Sequence, residues 1–257
     1  MQTFIVVLVT FFAGMGAGLG TGLAGMSAAA VIAPMLIVFL GVDSYAAVGI
    51  ALASDVLASA VSAFTYAKNK NIDLKNSIVL MVTILVVTVV GSFVASLVNP
   101  TLMGNFSTYM TLILGVKFIL KPINTTKEQM EGVSRKRRII GSIVSGVIVG
   151  FICGFIGAGG GIMMLLLLTS VLGYELKTAV GTSVFIMTFT ALFGAVSHFV
   201  IGGAPDLLIL ILCVAFTLIW ARIAAKFANK ASPKVLNRSL GIVLTVLGTA
   251  MIIFSFL

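Results

Sequence analysis

Long apolar runs without a single charge, such as residues 78–90 and 209–220, recur along this 257-residue chain and decide what it can become. Of all residues, 60% are hydrophobic and only 9% are charged, whereas a soluble domain carries about a quarter charged residues. No water-facing surface could hide so much apolar area, so lipid is the expected solvent for most of the chain. In lipid, every backbone N–H and C=O must find its partner within the protein, which leaves helix bundles and closed barrels. Barrel strands alternate polar and apolar residues with a period of two, and these runs are continuous. The expected fold is all-α, a polytopic transmembrane helix bundle in the plasma or inner membrane.

Glycine, proline, asparagine and charges cut the chain into ten apolar segments. They fall at about 4–23, 26–40, 45–67, 74–98 and 102–121, and again at 139–156, 159–172, 177–201, 206–227 and 238–257. Most reach the roughly 20 helical residues that a 30 Å hydrocarbon core requires. The second segment of each half is too short, so each is expected either to tilt strongly or to enter the membrane and turn back. The first segment lacks the basic n-region of a signal peptide and its apolar pattern continues to residue 40, so it is read as part of the fold.

The halves align when shifted by 132 residues. Leu40-Gly41 falls on Leu172-Gly173, and Ala47-Val48-Gly49 on Ala179-Val180-Gly181; Gly18, Gly22 and Gly25 fall on Gly150, Gly154 and Gly157. The expected organisation is a first repeat over 1–122, a basic cytoplasmic linker over 123–138 and a second repeat over 139–257. Loop charges then relate the halves. The loop after the third segment carries Lys68, Lys70 and Lys75, while its counterpart at 202–206 has no basic residue. The connection at 99–101 is uncharged, while its counterpart carries Lys226, Lys230, Lys234 and Arg238. Cytoplasmic loops collect Lys and Arg, so equivalent loops are expected on opposite sides, the repeats inverted and both termini outside. Inverted repeats are characteristic of transporters that alternate access to a central site.

The net charge of +9 follows from the same basic loops, and no aromatic-basic pattern of a nucleic-acid module accompanies it. Cys153 and Cys213 lie inside apolar segments and belong to no disulfide or metal framework. No nucleophile, base and orienting group converge, so no enzyme is expected, and neither a cofactor nor a metal is indicated. The expected partners are lipid and a small anionic substrate; a homo-oligomer is left open.

The most distinctive stretch is the run of glycines at 150, 154, 157, 159, 160 and 161, with a mate over 14–25. Glycine at four-residue spacing lets helices approach closely, which accounts for Gly18 with Gly22 and Gly150 with Gly154. Three consecutive glycines, Gly159, Gly160 and Gly161, instead weaken any helix. A break there, with Gly157, exposes backbone N–H groups at the start of a short helix, where the helix dipole favours an anion. Tight packing or a hinge is the alternative reading.

The Gly-x-x-x-Gly-x-x-Gly-x-Gly-Gly-Gly stretch at 150–161, Leu172-Gly173, Ala179-Val-Gly-Thr-Ser183, His198 and Gly202-Gly203 resemble the sulfite exporter TauE/SafE family, also called the toluene sulfonate uptake permease family. The resemblance covers both halves and implies transport of sulfur-containing or organic anions. Where it leads one to expect Gly-Gly-Gly in the first half, this chain has Ser27-Ala28-Ala29. Pro34 keeps the proline that follows in the family, whereas Leu166 replaces it in the second half. The half-sites centred on Gly25 with Ser27 and on Gly157 to Gly161 are therefore expected to be unequal.

Polar residues inside the segments complete the candidates. Asp55, flanked by Ser54, Ser59 and Ser62, either binds a coupling proton or joins helices as a hydrogen-bonded carboxyl; its repeat mate is Met187. The hydroxyls of Thr182 and Ser183 could donate to an anion or bond to neighbouring backbone. His198, the only histidine, is the mate of Tyr66 and suits either an outer gate or an interfacial anchor. Lys177, Glu175 and Arg222 border the cytoplasmic mouth, where basic charge would concentrate anions. The expected activity is secondary transport, exporting sulfite or an organosulfonate by alternating access; uptake by the same fold and an anion channel are the rivals.

Overall fold

A computed structural model describes residues 2–95, 101–156 and 160–254. Every regular element among these residues is a helix, as the unbroken apolar runs require. In order the helices are α1 (Gln2–Ala24), α2 (Ala29–Leu40), α3 (Ser44–Lys68), α4 (Leu74–Ala95), α5 (Thr101–Leu120), α6 (Lys127–Glu131), α7 (Arg135–Ile156), α8 (Gly160–Ser170), α9 (Leu176–Gly202), α10 (Leu207–Lys230) and α11 (Pro233–Phe254). Five of them, α1, α3, α9, α10 and α11, contain stretches long and apolar enough to cross a membrane by length and composition.

The ten expected segments are all present, with corrected edges. The sixth, α7, begins at Arg135 instead of 139, because the basic side chains continue the helix out of the hydrocarbon. The last begins at Pro233 instead of 238: proline's missing N–H costs nothing at the first helical position. The linker also holds α6, which the apolar pattern could not reveal. Its signal is a capping box, in which the Thr126 side chain accepts from the Gln129 N–H and the Gln129 side chain accepts from the Thr126 N–H.

Small residues set the helix pairings. α1 packs along α10, α4 along α7, α3 along α9 and α5 along α11. Gly14, Gly18 and Gly22 face α10 so closely that a Cβ on each would lie 2.6, 2.6 and 2.5 Å from Phe216 Cβ, Thr217 O and Ala221 O. On α7, Gly146 and Gly150 meet α4 in the same way, 2.7 Å from Thr83 Cβ and Ile84 O. Close backbone approach of this kind replaces the hydrophobic driving force that lipid abolishes.

Both short helices return to the end from which their pair set out. α2 has 12 residues, about 18 Å at 1.5 Å per residue. Its head touches Asp55, 11 residues or about 16 Å into α3, and its tail leads straight into that helix. α8 has 11 residues, and its head lies beside Met187, 11 residues into α9. Matching closures end the two: Gly41 (φ 63°) and Gly173 (φ 65°) take the left-handed conformation, with Val42 N–H bonded to Leu36 O and Tyr174 N–H to Leu168 O.

Two groups of loops form the two ends of the molecule. At the basic end, Lys127 Nζ donates to Lys70 O, Asn71 Nδ2 to Asn229 Oδ1 and Lys177 Nζ to Asn229 O, while Asn237 exchanges hydrogen bonds with the backbone of Ile123. At the opposite end the α9–α10 connection packs on the start of α3, where Asp43 caps the helix by accepting from the Tyr45 and Ala46 N–H groups. By the positive-inside rule the basic end is expected to face the cytoplasm. On a background with Cys153 and Cys213 replaced by alanine, a membrane-impermeant maleimide should label a cysteine at Gln2 in intact cells and leave one at Ala231 untouched. The reverse pattern would invert the assignment.

Candidate functional site

The chain unwinds between α1 and α2, and the reason is local. Gly25 has φ +62°, a conformation costing other residues about 1–2 kcal/mol. Its N–H closes on Thr21 O, Met26 N–H reaches Gly20 O, and Thr21 Oγ1 donates to Met26 O. These bonds satisfy the last carbonyls of α1, and the chain restarts as α2. Ser27 stands at that restart: its Oγ accepts from Ala29 N–H and donates to Asp55 Oδ2 at 2.8 Å. Asp55 Oδ1 accepts from Ser59 Oγ, also at 2.8 Å, and the Ala28 N–H faces the same carboxyl. All three side chains are buried. In the first half, therefore, the amino-terminal end of a short helix already holds an acidic group supplied by α3.

In the second half Gly157 and Gly159 lie outside the described residues. Gly160 opens α8, and Gly161 presses against the first break. A Cβ on Gly161 would strike the Gly25 carbonyl oxygen and lie 2.6 Å from Met187 Sδ and 3.1 Å from Ser27 N. Ser183 Oγ donates to Gly25 O at 3.2 Å and reaches Gly161 O at 3.5 Å. One hydroxyl of α9 thus lies against both glycine segments where they meet. Met187 stands where the repeat register places the mate of Asp55, so the head of α8 faces a thioether where that of α2 faces a carboxyl.

Above this meeting point lies a cavity of about 730 Å³ between α3, α4, α7, α8 and α9. Ser27, Asp55, Gly160, Gly161 and Met187 form its floor, and His198 stands near its far end. Cys153, Met164 and Thr190 also line it. Sequence reasoning did not select these three, because nothing in their local pattern separates a cavity-lining residue from a packed one. No Lys or Arg is among the described lining residues. A bound anion would depend on hydroxyls, on backbone N–H groups and on the dipole of α8.

The cavity runs from the glycine segments toward the His198 end. The other direction is filled. Tyr66, fully buried, donates its hydroxyl to Gly22 O at 2.9 Å. Below it, Thr182 Oγ1 accepts from Asp73 N–H, and Asp73 Oδ2 accepts from the Tyr174 hydroxyl at 2.7 Å and pairs with Arg138 at 3.5 Å. Thr182 belongs to this closed end and does not line the cavity, whereas Ser183, one residue on, faces the two breaks. His198 uses Nδ1–H to donate to Tyr45 O at 3.1 Å, since a carbonyl can only accept, and its ring lies against that of Tyr45 with centroids 4.2 Å apart. Structure therefore brings together Gly25, Ser27, Asp55, Gly160, Gly161 and Ser183, with His198 at the far end of the same space.

A family model described as sulfite exporter TauE/SafE matches residues 10–251. The probable membrane transporter protein YunE of Bacillus subtilis is 26% identical over 98% of each chain. A probable membrane transporter protein of Methanocaldococcus jannaschii is 28% identical over 80% of this chain and 79% of its own. The probable membrane transporter protein YdhB of Bacillus subtilis is 22% identical over 91% and 94%. No solved structure matches the chain.

Proposed function

The chain belongs to the sulfite exporter TauE/SafE family of membrane transporters, and we propose that it is a secondary transporter exporting sulfite or an organosulfonate by alternating access. The observation that carries this reading is the contact between the two glycine segments at the floor of a one-sided cavity. A channel would need a continuous path, whereas here Tyr66, Thr182, Asp73 and Arg138 fill the space toward the basic end. The anion sits on the head of α8 at Gly160 and Gly161. Ser27, from the first repeat, turns its hydroxyl proton to the anion when a protonated Asp55 donates to its oxygen instead, and Ser183 keeps the two segments in register.

Alternation follows from exchanging the two repeats, 1–122 and 139–257. The pairings support this: exchanging the halves turns α1 with α10 into α7 with α4 and maps α3 with α9 and α5 with α11 onto themselves. Sequence-equivalent connections, 69–73 and 203–206, belong to the basic end and the opposite end respectively. Rocking the repeats would open the closed end while closing the cavity toward His198. Asp55 is the coupling group. A carboxyl beside an anion site must carry a proton when the anion arrives, because two negative charges in a low-dielectric cavity repel strongly.

A stability scan tests the substrate class. Purified protein should gain thermal stability with sulfite and small sulfonates, by about 2.7 kcal/mol at a hundred times the dissociation constant. Equal stabilisation by sugars or amines, with none by sulfur oxyanions, would reject an anionic substrate.

A further inference from the structure

Outside the central cavity the molecule has a second built recess, at the basic end of α7. It occupies about 590 Å³ between the first turns of α7 and the tail of α8, with Lys136 and Arg137 at its rim and Ile140, Val144, Val171 and Leu172 as its walls. Most of the neighbouring cations have partners: Lys117 bonds to Ser170, Lys127 to Lys70 O, Lys177 to Asn229 O, and Arg138 to Asp73 and Met130 O. Lys136 and Arg137 are exposed and, among the described residues, bond to nothing. Their charge faces a recess rather than an acid.

The walls decide what that recess takes. Ile140 is 52% exposed, Val144 49% and Val171 52%. The apolar strip continues down α7 through Val147, Ile148 and Phe151, all exposed. Along α7, Arg137 to Val144 spans about 10 Å. Cations therefore stand at the headgroup level, directly above an apolar groove that descends into the hydrocarbon. A soluble anion would use the rim alone and leave the groove empty. A basic pocket between transmembrane helices on the cytoplasmic side suits an anionic headgroup.

We propose that this recess binds one anionic phospholipid of the cytoplasmic leaflet, its phosphate held by Lys136 and Arg137 and one acyl chain laid between α7 and the end of α8. The bound lipid braces the pair of helices that carries Gly160 and Gly161. It also lies one residue from Arg138, which pairs with Asp73 at the closed end.

Native mass spectrometry of the full chain in detergent tests this, with dioleoyl phosphatidylglycerol, dioleoyl phosphatidylcholine and glycerol 3-phosphate as probes. The phosphatidylglycerol adduct should form at least tenfold more tightly than the phosphatidylcholine adduct, and glycerol 3-phosphate should give none. Lys136→Gln with Arg137→Gln should weaken phosphatidylglycerol roughly 30-fold, as expected for two basic side chains at an anionic surface. Lys234→Gln with Arg238→Gln, equally charged and at the same end, should change it less than threefold. Val171→Glu places a carboxylate over the groove without touching the cations and should also remove the preference; it decides the question if the double variant does not fold. Equal affinity for the two lipids, equal loss in both double variants, or comparable binding of glycerol 3-phosphate would each overturn the proposal.

Discussion

Replacing Gly161 with alanine is expected to abolish most transport while leaving the protein in the membrane. One methyl group is added, but it has nowhere to go. It would meet the Gly25 carbonyl oxygen, Ser27 N and Met187 Sδ, and the first two are backbone atoms that cannot rotate aside. Overpacking of a tight interior costs about 1–3 kcal/mol. Because the strain falls where the two glycine segments touch, it is expected to act on the equilibrium between conformations, and 1–3 kcal/mol there is a factor of about 5–150. Flux per inserted molecule should drop within that range, and Met187→Ala in the same chain should restore part of it by vacating the flexible side. Unchanged flux in Gly161→Ala would mean that the close contact between the two glycine segments does not matter for function.

The second large effect concerns Asp55. Asparagine has nearly the shape of the carboxyl and can still accept from one serine, while the other hydroxyl turns to accept from its amide. The Asp55→Asn protein should therefore insert and fold. It should lose at least about tenfold in flux, a 1.4 kcal/mol effect, and what remains should no longer respond to an imposed proton gradient. Leucine at the same place should act differently. It leaves the buried hydroxyls of Ser27 and Ser59 without their acceptor, at about 1–3 kcal/mol each, so reduced stability is the expected readout. Retention of gradient-driven flux by Asp55→Asn would remove the coupling role and leave Asp55 as a link between α2 and α3.

Much of this arrangement is legible in the sequence, for identifiable reasons. The four-residue spacing of Gly18 and Gly22 is a one-dimensional pattern, and it lies against α10 as that spacing implies. The short second segments reveal themselves by length, because 14 or 15 apolar residues fall short of the roughly 20 that cross the bilayer. Gly41 and Gly173, which fall together at a shift of 132 residues, both take the left-handed conformation. Other features depend on who meets whom in space. Nothing near Thr182 says that its hydroxyl serves Asp73, 109 residues away, while Ser183 serves the glycine segments. Cys153 reads as a packing residue until its place against Gly160 puts it on the cavity wall. Asp55 was conspicuous as a carboxyl among serines, but its place at the head of α2 required the turn-back of that helix, which length alone left open between tilting and returning.

Anion efflux from proteoliposomes tests the central claim most directly. Vesicles containing the purified chain are loaded with sulfite, methanesulfonate or chloride, and release is followed against protein-free vesicles with and without a proton gradient. The expected result is release of sulfite or the sulfonate, saturating with internal concentration, accelerated by the gradient, and strongly reduced in Gly161→Ala. Sulfite and sulfonate release no faster than from protein-free vesicles would contradict the account.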